Sequence, residues 1–217
     1  MATKKFKIKI SPSIIVLLLL VLIVIISYSF HLVPFSALIS QQFQTKQFQI
    51  QQTNISISNC TNITSPGYYV LTQDILNSSA AICINISASN VTFDGQGYTI
   101  DGIDTTGTYG IYVYNSSTTL TNVTIKNVIV TDWYYGICLY SSTNNTITNN
   151  TANSNSYGIW LGWSNNNNVT NNTASLNTYG TFLYSSTNNT LINNIMTQNK
   201  YNFGLIGSSD SHFNNQI

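Results

Sequence analysis

From Tyr109 onward, apolar and polar residues alternate in short runs broken by Asn, Ser, Thr and Gly, and the whole pattern recurs every 22 residues. Ile125, Ile147, Val169, Leu191 and Phe213 are spaced 22 apart, as are Asn127, Asn149, Asn171, Asn193 and Asn215. A third series, Tyr135, Tyr157, Tyr179 and Tyr201, opens the related pieces Tyr-Gly-Ile-Cys-Leu, Tyr-Gly-Ile-Trp-Leu, Tyr-Gly-Thr-Phe-Leu and Tyr-Asn-Phe-Gly-Leu. Alternation with a period of two predicts strands, because helical repeats need longer segments with apolar residues three and four apart. A fixed period of this length predicts stacking, since one unit is too small to bury its own apolar face. The chain reads as an all-β solenoid of parallel strands with 22-residue coils.

The alternation also predicts which side chains point inward. Three walls of the core are expected: Ile111, Ile137, Ile159, Thr181 and Phe203; Val113, Leu139, Leu161, Leu183 and Leu205; and Val130, Ala152, Ala174 and Met196. Coils about 4.8 Å apart would make five or six of them a rod roughly 25–30 Å long. At the corners the backbone must bend without leaving donors unpaired. Asn suits this, since it tolerates the left-handed region and its amide can pair with like residues above and below. The series Asn127 to Asn215, and a second through Asn122, Asn144, Asn166 and Asn188, are therefore expected to be corner ladders. Asn202, in line with Gly136, Gly158 and Gly180, suggests a positive backbone angle there. The spacing from Tyr109 to Tyr135 is 26, so one coil carries four extra residues, placed as a loop around Asn115-Ser-Ser-Thr-Thr.

The ends differ from this pattern. Lys4, Lys5, Lys7 and Lys9 precede the apolar run Ile14 to Ile26, so residues 1–40 read as a signal peptide or an uncleaved membrane helix, and the rest as exported. Residues 41–54 form a polar linker, and 55–217 the β-helix domain, with a cap over 55–88 and coils over 89–217. The pattern runs to the last residue, which is expected of a truncated C-terminus. In an exported chain Cys60 and Cys83 are expected to form a disulfide that holds the cap. The third cysteine, Cys138, falls on an outward position.

Composition narrows the chemistry. The chain has no Arg and no Glu, and beyond Lys46 its only Lys are Lys126 and Lys200, which excludes a nucleic-acid role. Asp94, Asp101 and Asp104 are the one close set of carboxylates. Asp before Gly is turn chemistry first; a calcium site and acid–base catalysis are the alternatives. One His and one Met beyond residue 40, His212 and Met196, give no cluster for a transition metal, and no other cofactor is expected. Thirteen Asn-X-Ser/Thr sequons occur, of which exposed loop positions such as Asn77 and Asn115 are the best glycan acceptors, those in corner ladders being hidden.

Aromatic residues stand on the outward positions. Tyr112, Trp160 and Phe182 lie in file with Cys138, Tyr114, Tyr140 and Tyr184 two residues further on, and Trp163 just past them. Such a face can stack sugar rings or another protein, or it can serve the fold alone by stacking coil on coil.

Cys60, Pro66-Gly-Tyr-Tyr-Val-Leu71, Asp74-Ile75, Cys83-Ile84, Asn90-Val-Thr-Phe-Asp-Gly-Gln-Gly97, Asp101-Gly102 and the Tyr-Gly repeats together resemble the NosD-like, CASH-type right-handed parallel β-helix proteins of archaeal cell surfaces. The resemblance covers about residues 60–217. It implies periplasmic copper-protein maturation for some members and sugar hydrolysis for others. This sequence lacks the His and Met clusters of the former and the paired carboxylates with Arg or Lys of the latter. The expectation is a non-catalytic cell-surface module that binds envelope glycan or surface protein through its aromatic face. Its rivals are a polysaccharide-active lyase or glycoside hydrolase with catalytic groups elsewhere, and a metal-protein maturation factor.

Overall fold

The structure, a computed structural model, describes residues 53–213 and 215–217, together with Leu19 and Val21, with the backbone alone for residues 210–213. The chain divides into two compact units, Met1–Gln51 and Gln52–Ile217. The signal or membrane helix expected over 1–40, and nearly all of the linker, lie outside the described residues. Among the described residues no helix is long and apolar enough to cross a membrane.

Residues 54–213 wind into a parallel β-solenoid of about seven turns, with eight strands along one face, seven along a second and three along a third. Every strand pairing is parallel. The predicted register holds through the central coils. Ile137 pairs with Ile111 and Ile159, Ile147 with Ile125 and Val169, and Ala152 with Val130. The three walls meet in a dry interior where Ile111, Ile137, Ile147, Ile159, Val169 and Leu191 are all fully buried. The solenoid has more turns than expected because the segment read as a cap joins the ladders itself. Asn54–Ile57, Thr61–Ile63, Gly67–Leu71 and Ile82–Ile86 are strands of the same sheets, and the Cys60–Cys83 disulfide links two of these first turns.

The corners obey a rule finer than the one expected. The asparagines at 122, 127, 144, 149, 166, 171, 188 and 193 do adopt the left-handed conformation, but they are not the buried ladder. From Asn144 onward, the residue after each one is. Asn150 N–H donates to Oδ1 of Asn172 at 3.0 Å, Asn172 N–H to Oδ1 of Asn194 at 3.0 Å, and Asn194 N–H to Oδ1 of Asn215 at 2.9 Å. Each buried amide also reaches back one coil, Asn172 Nδ2 donating to the carbonyl of Ile147 at 2.9 Å. Parallel ladders run through Asn145, Asn167 and Asn189, through Asn155, Asn177 and Asn199, and through Ser142, Ser164, Ser186 and Ser208. A left-handed residue turns the chain outward, and its successor turns a side-chain oxygen inward to catch the N–H of the coil before it. Bend after bend satisfies its backbone this way.

Three expectations need correcting. Gly136, Gly158 and Gly180 do not have positive backbone angles, nor does Asn202. They are glycine for lack of room: a Cβ on Gly158 would sit 2.7 Å from Asn177 Nδ2 and 2.7 Å from the carbonyl of Gly180. Asn202 instead turns its Oδ1 back to the N–H of Asn199 at 3.2 Å, standing where the next ladder residue would. In the last turn the register slips by one, so that Leu191 pairs with His212 and Phe213 with Ile192. The slip brings Asn215 to Asn194 across 21 residues, where a strict 22-residue count would place Gln216. Finally, Cys138 points outward but is only 1% exposed, because its strand neighbours in register, Tyr112 and Trp160, are large enough to cover a small side chain between them.

Two outcomes follow, both read by chemical denaturation. Asn172→Ala removes the acceptor for Asn150 and the donor to Ile147, leaving buried groups unpaired at roughly 1–3 kcal/mol each, so a loss of about 3 kcal/mol is expected. Thr181 sits fully buried in the Ile wall with no partner for its hydroxyl, so Thr181→Val is expected to stabilise the fold by about 1 kcal/mol.

Candidate functional site

The seven-stranded face carries the aromatic residues, and it carries more of them than the outward positions alone suggested. Tyr109, Tyr135, Tyr157, Tyr179 and Tyr201 pair in register and stack ring on ring, with centroids 4.9, 5.1, 5.0 and 4.8 Å apart in turn. Interplanar angles of 16°, 22°, 5° and 20° keep them nearly parallel. The coil spacing of a parallel ladder, about 4.8 Å, is close to the stacking distance of aromatic rings, so like residues in one column stack without adjustment. Their 22-residue recurrence was visible in the sequence, but as a marker of the period. It carried no sign that the rings join the outward face.

Stacking limits what this column offers a ligand. The faces of the five rings are largely turned to one another, so the column presents edges and hydroxyls more than flat surface. Burial raises the pKa of Tyr109, Tyr112, Tyr135 and Tyr157, with neighbouring tyrosines and, for the first three, Cys138 adding to the rise. Those hydroxyls stay neutral donors across any physiological pH.

Beside this column lie the residues the sequence singled out. Tyr112 stacks on Tyr109 at 4.4 Å and lies 5.5 Å from Tyr114, whose ring meets Tyr140 edge-on at 5.2 Å. Trp160 stacks beside Tyr140 at 6.0 Å and extends over the backbone of Gly162. Phe182 covers Gly204 in the same manner, inclined by 71° to Tyr179. At 162 and 204 the neighbouring ring fills the space a Cβ would take, so a larger residue there would push the ring aside. Trp163 meets Tyr140 at 5.1 Å and Tyr184 at 4.8 Å. It is 46% exposed and holds a left-handed backbone, φ 49°, at the bend where adjacent coils have Ser141, Ser185 and Gly207. A bulky residue there costs on the order of 1–2 kcal/mol. Leu176 sits at another bend in the same conformation, so the strain alone does not mark a site. All seven proposed face residues are thus on one sheet and its edge, and none of these strands contains a charged residue.

The carboxylates lie elsewhere: Asp94 stands on a different sheet from Asp101, which is grouped with Asp104 and Asp132. Asp94, 3% exposed, accepts hydrogen bonds from Tyr68 Oη at 2.6 Å, Gln96 N at 3.0 Å and Asn127 Nδ2 at 3.1 Å, and pairs with Lys126 Nζ at 3.1 Å. Burial pushes its pKa up, but these bonds outweigh it and lower the value to about 2. Asp101, in the three-stranded sheet, accepts from Asn77 N and Thr131 Oγ1. Asp104 adopts a left-handed turn. Asp132 joins these two, its pKa raised by burial and then by the charges of Asp104 and Asp101. Among the described residues no three His, Cys, Asp or Glu side chains are placed to hold a metal ion. Asp94 serves as an ion-pair anchor between coils.

The glycan acceptors sort differently than expected. Asn77 is exposed in a left-handed turn. Asn115 has both ends of its amide engaged, Nδ2 to the Ser87 carbonyl at 2.8 Å and Oδ1 from the N–H groups of Ser117 and Thr118. The sequon asparagines 122, 144, 149, 171 and 188 are the exposed bend residues and are not hidden in ladders.

Comparison with known proteins bears on the scaffold. A family model described as periplasmic copper-binding protein (NosD) matches residues 40–217. The chain belongs to the NosD family. A periplasmic family agrees with an exported chain. Among curated proteins nothing matches. Among solved structures, the enzymatically active domain of bacteriophage CBA120 tailspike protein 2 matches at 13% identity and a TM-score of 0.38. That match covers 76% of this chain and 39% of the tailspike chain, and a likeness so remote carries no argument. Copper binding, the activity in the NosD description, requires a cluster of imidazole or sulfur donors. Here Cys60 and Cys83 are bonded to each other, and Cys138 and Met196 are each 1% exposed in different columns of the coil. The described residues do not fit a copper site.

The ion pair at Asp94 makes a pH test. A carboxylate whose folded pKa is lowered contributes stability above its unfolded value of 3.8 and loses it as pH falls toward about 2. Denaturation midpoints measured from pH 6 down to pH 2 should fall below pH 4, and in Asp94→Asn, which is less stable at pH 6, this part of the fall should be missing.

Proposed function

We propose that the protein is an exported, non-catalytic β-solenoid module that binds glycan through the aromatic face of its seven-stranded sheet. The observation that carries this reading is the face itself: Tyr112, Tyr140, Trp160, Trp163, Phe182 and Tyr184 form one uncharged aromatic surface along successive coils. Rings beside a row of neutral phenol hydroxyls suit sugar units, which offer C–H faces to aromatic rings and hydroxyls to polar edges. Family membership and the exported reading of the N-terminus support a role at the envelope.

A polysaccharide-cleaving role finds less support. Glycosidic hydrolysis takes two carboxyl groups about 5–9.5 Å apart across the bond. The aromatic strands contain no carboxylate, and Asp94 is engaged on a different sheet by Tyr68, Lys126 and Asn127. Surface-protein binding is the alternative for the same face, and the test separates it.

A glycan array probed with the full chain and with the Trp160→Ala/Phe182→Ala double variant is the measurement. Binding to at least one neutral oligosaccharide is expected, weakened tenfold or more in the variant, equivalent to about 1.4 kcal/mol. No glycan bound by the parent, or equal binding by the variant, overturns the reading, and sugars released by the parent would favour an enzyme.

A further inference from the structure

One departure from the 22-residue period lies at the edge of the aromatic face, and it builds a pocket there. The four residues 116–119 are inserted between Asn115, in line with Ser141, and Leu120, in line with Ser142; the Leu120 carbonyl accepts from Thr143 N at 2.9 Å. This is the corner at which Trp163 stands two coils further along. Both irregularities of that column therefore flank one position, Ser141, where the side chain is small. Between them lies an open pocket of about 250 Å³ lined by Tyr114, the loop 115–119, Tyr140 and Ser141.

The walls differ in chemistry. Tyr114 and Tyr140 meet edge to face at 5.2 Å and give an aromatic corner, and Trp163 adjoins Tyr140 at 5.1 Å on the far side. The opposite wall is the loop. Asn115 holds it, its Oδ1 accepting from Ser117 N at 2.8 Å and Thr118 N at 3.3 Å while its Nδ2 ties to Ser87 O. The hydroxyls of Ser116, Ser117, Thr118 and Thr119 have no protein partner among the described residues, and all four residues are exposed. No charged side chain lines the pocket. Its volume falls below the roughly 300–1,000 Å³ of sites for drug-sized ligands, so it suits a single ring.

We propose that this pocket is the terminal subsite of the aromatic face, taking one uncharged sugar ring at the end or branch of a glycan, with Tyr114 and Tyr140 as the stacking side and the inserted loop as the hydroxyl-reading side. The inference rests on the glycan reading of the face and adds what decides selectivity: the insertion puts a wall of hydroxyls beside Tyr114 and Tyr140, where a regular coil would leave the face open.

The test compares the full chain with Ser117→Trp, which fills the pocket from an exposed position, and with a variant lacking residues 116–119, which restores the 22-residue coil; circular dichroism confirms that each is folded. The probes are neutral gluco- and manno-oligosaccharides of one to six units and the matching uronic-acid oligomers. Neutral oligomers should bind the parent better than uronates, and both variants should bind them tenfold or more weakly while losing the parent's discrimination among neutral chain ends. Trp163→Ala should lower affinity in the same direction. Parent binding that is equal in Ser117→Trp and in the deletion overturns the subsite and leaves the face reading intact, as does a preference for uronates. Loss of binding in Trp160→Ala/Phe182→Ala with full binding in the loop variants also counts against the subsite alone, whereas no binding by the parent overturns both.

Discussion

The structure depends on the hydrogen bond by which a buried side-chain oxygen at each bend takes the backbone N–H of the preceding coil. A solenoid of 22-residue turns must change direction several times per turn, and each change removes backbone groups from the sheet ladders. Asn145, Asn150 and Asn155 within one coil supply the missing acceptors, and the Ser164 hydroxyl does the same for Ser142 N–H. Where the ladders start, the same positions hold Val123, Val128 and Trp133, which only donate to the next coil and fill the interior with apolar bulk. The column changes character at the coil where its first acceptor is needed.

This constraint explains why the surface is so regular. With bends fixed by backbone bonding, every outward position repeats at the spacing of the coils, and a column of tyrosines becomes a stack. A column with a glycine makes room for the ring of its neighbour, as at Gly162 under Trp160 and Gly204 under Phe182. A column with a cysteine becomes a hollow that Tyr112 and Trp160 close over. The face is rigid because its geometry is set from beneath, and preorganisation of that kind lowers the entropy lost on binding. Belonging to the NosD family assigns the scaffold, while the donor set of this chain offers copper no site among the described residues.

The candidate site was legible in part. Outward alternation placed Tyr112, Trp160 and Phe182 on one face, because a period of two needs nothing beyond the sequence to assign sides. The tyrosine stack and the buried state of Cys138 were not legible, since both depend on how large the residues one coil away are. Asp94, Asp101 and Asp104 are close in sequence, yet Asp94 and Asp101 serve two different sheets, a separation that only the bend between them decides.

By itself the sequence determined the period, the strand type and the inward walls of the central coils, because stacking identical units converts a repeat in sequence directly into a column in space; it did not determine those of the last coil, where Leu205 is 43% exposed. Only the tertiary structure decided which asparagine of each pair turns outward and which is buried. Both tolerate the left-handed region equally well, and the choice falls to the one whose successor can reach the carbonyl and N–H of the neighbouring coils. The one-residue slip that brings Asn215 to Asn194 belongs to the same class, being set by which amide meets a buried partner and not by the count of residues between them.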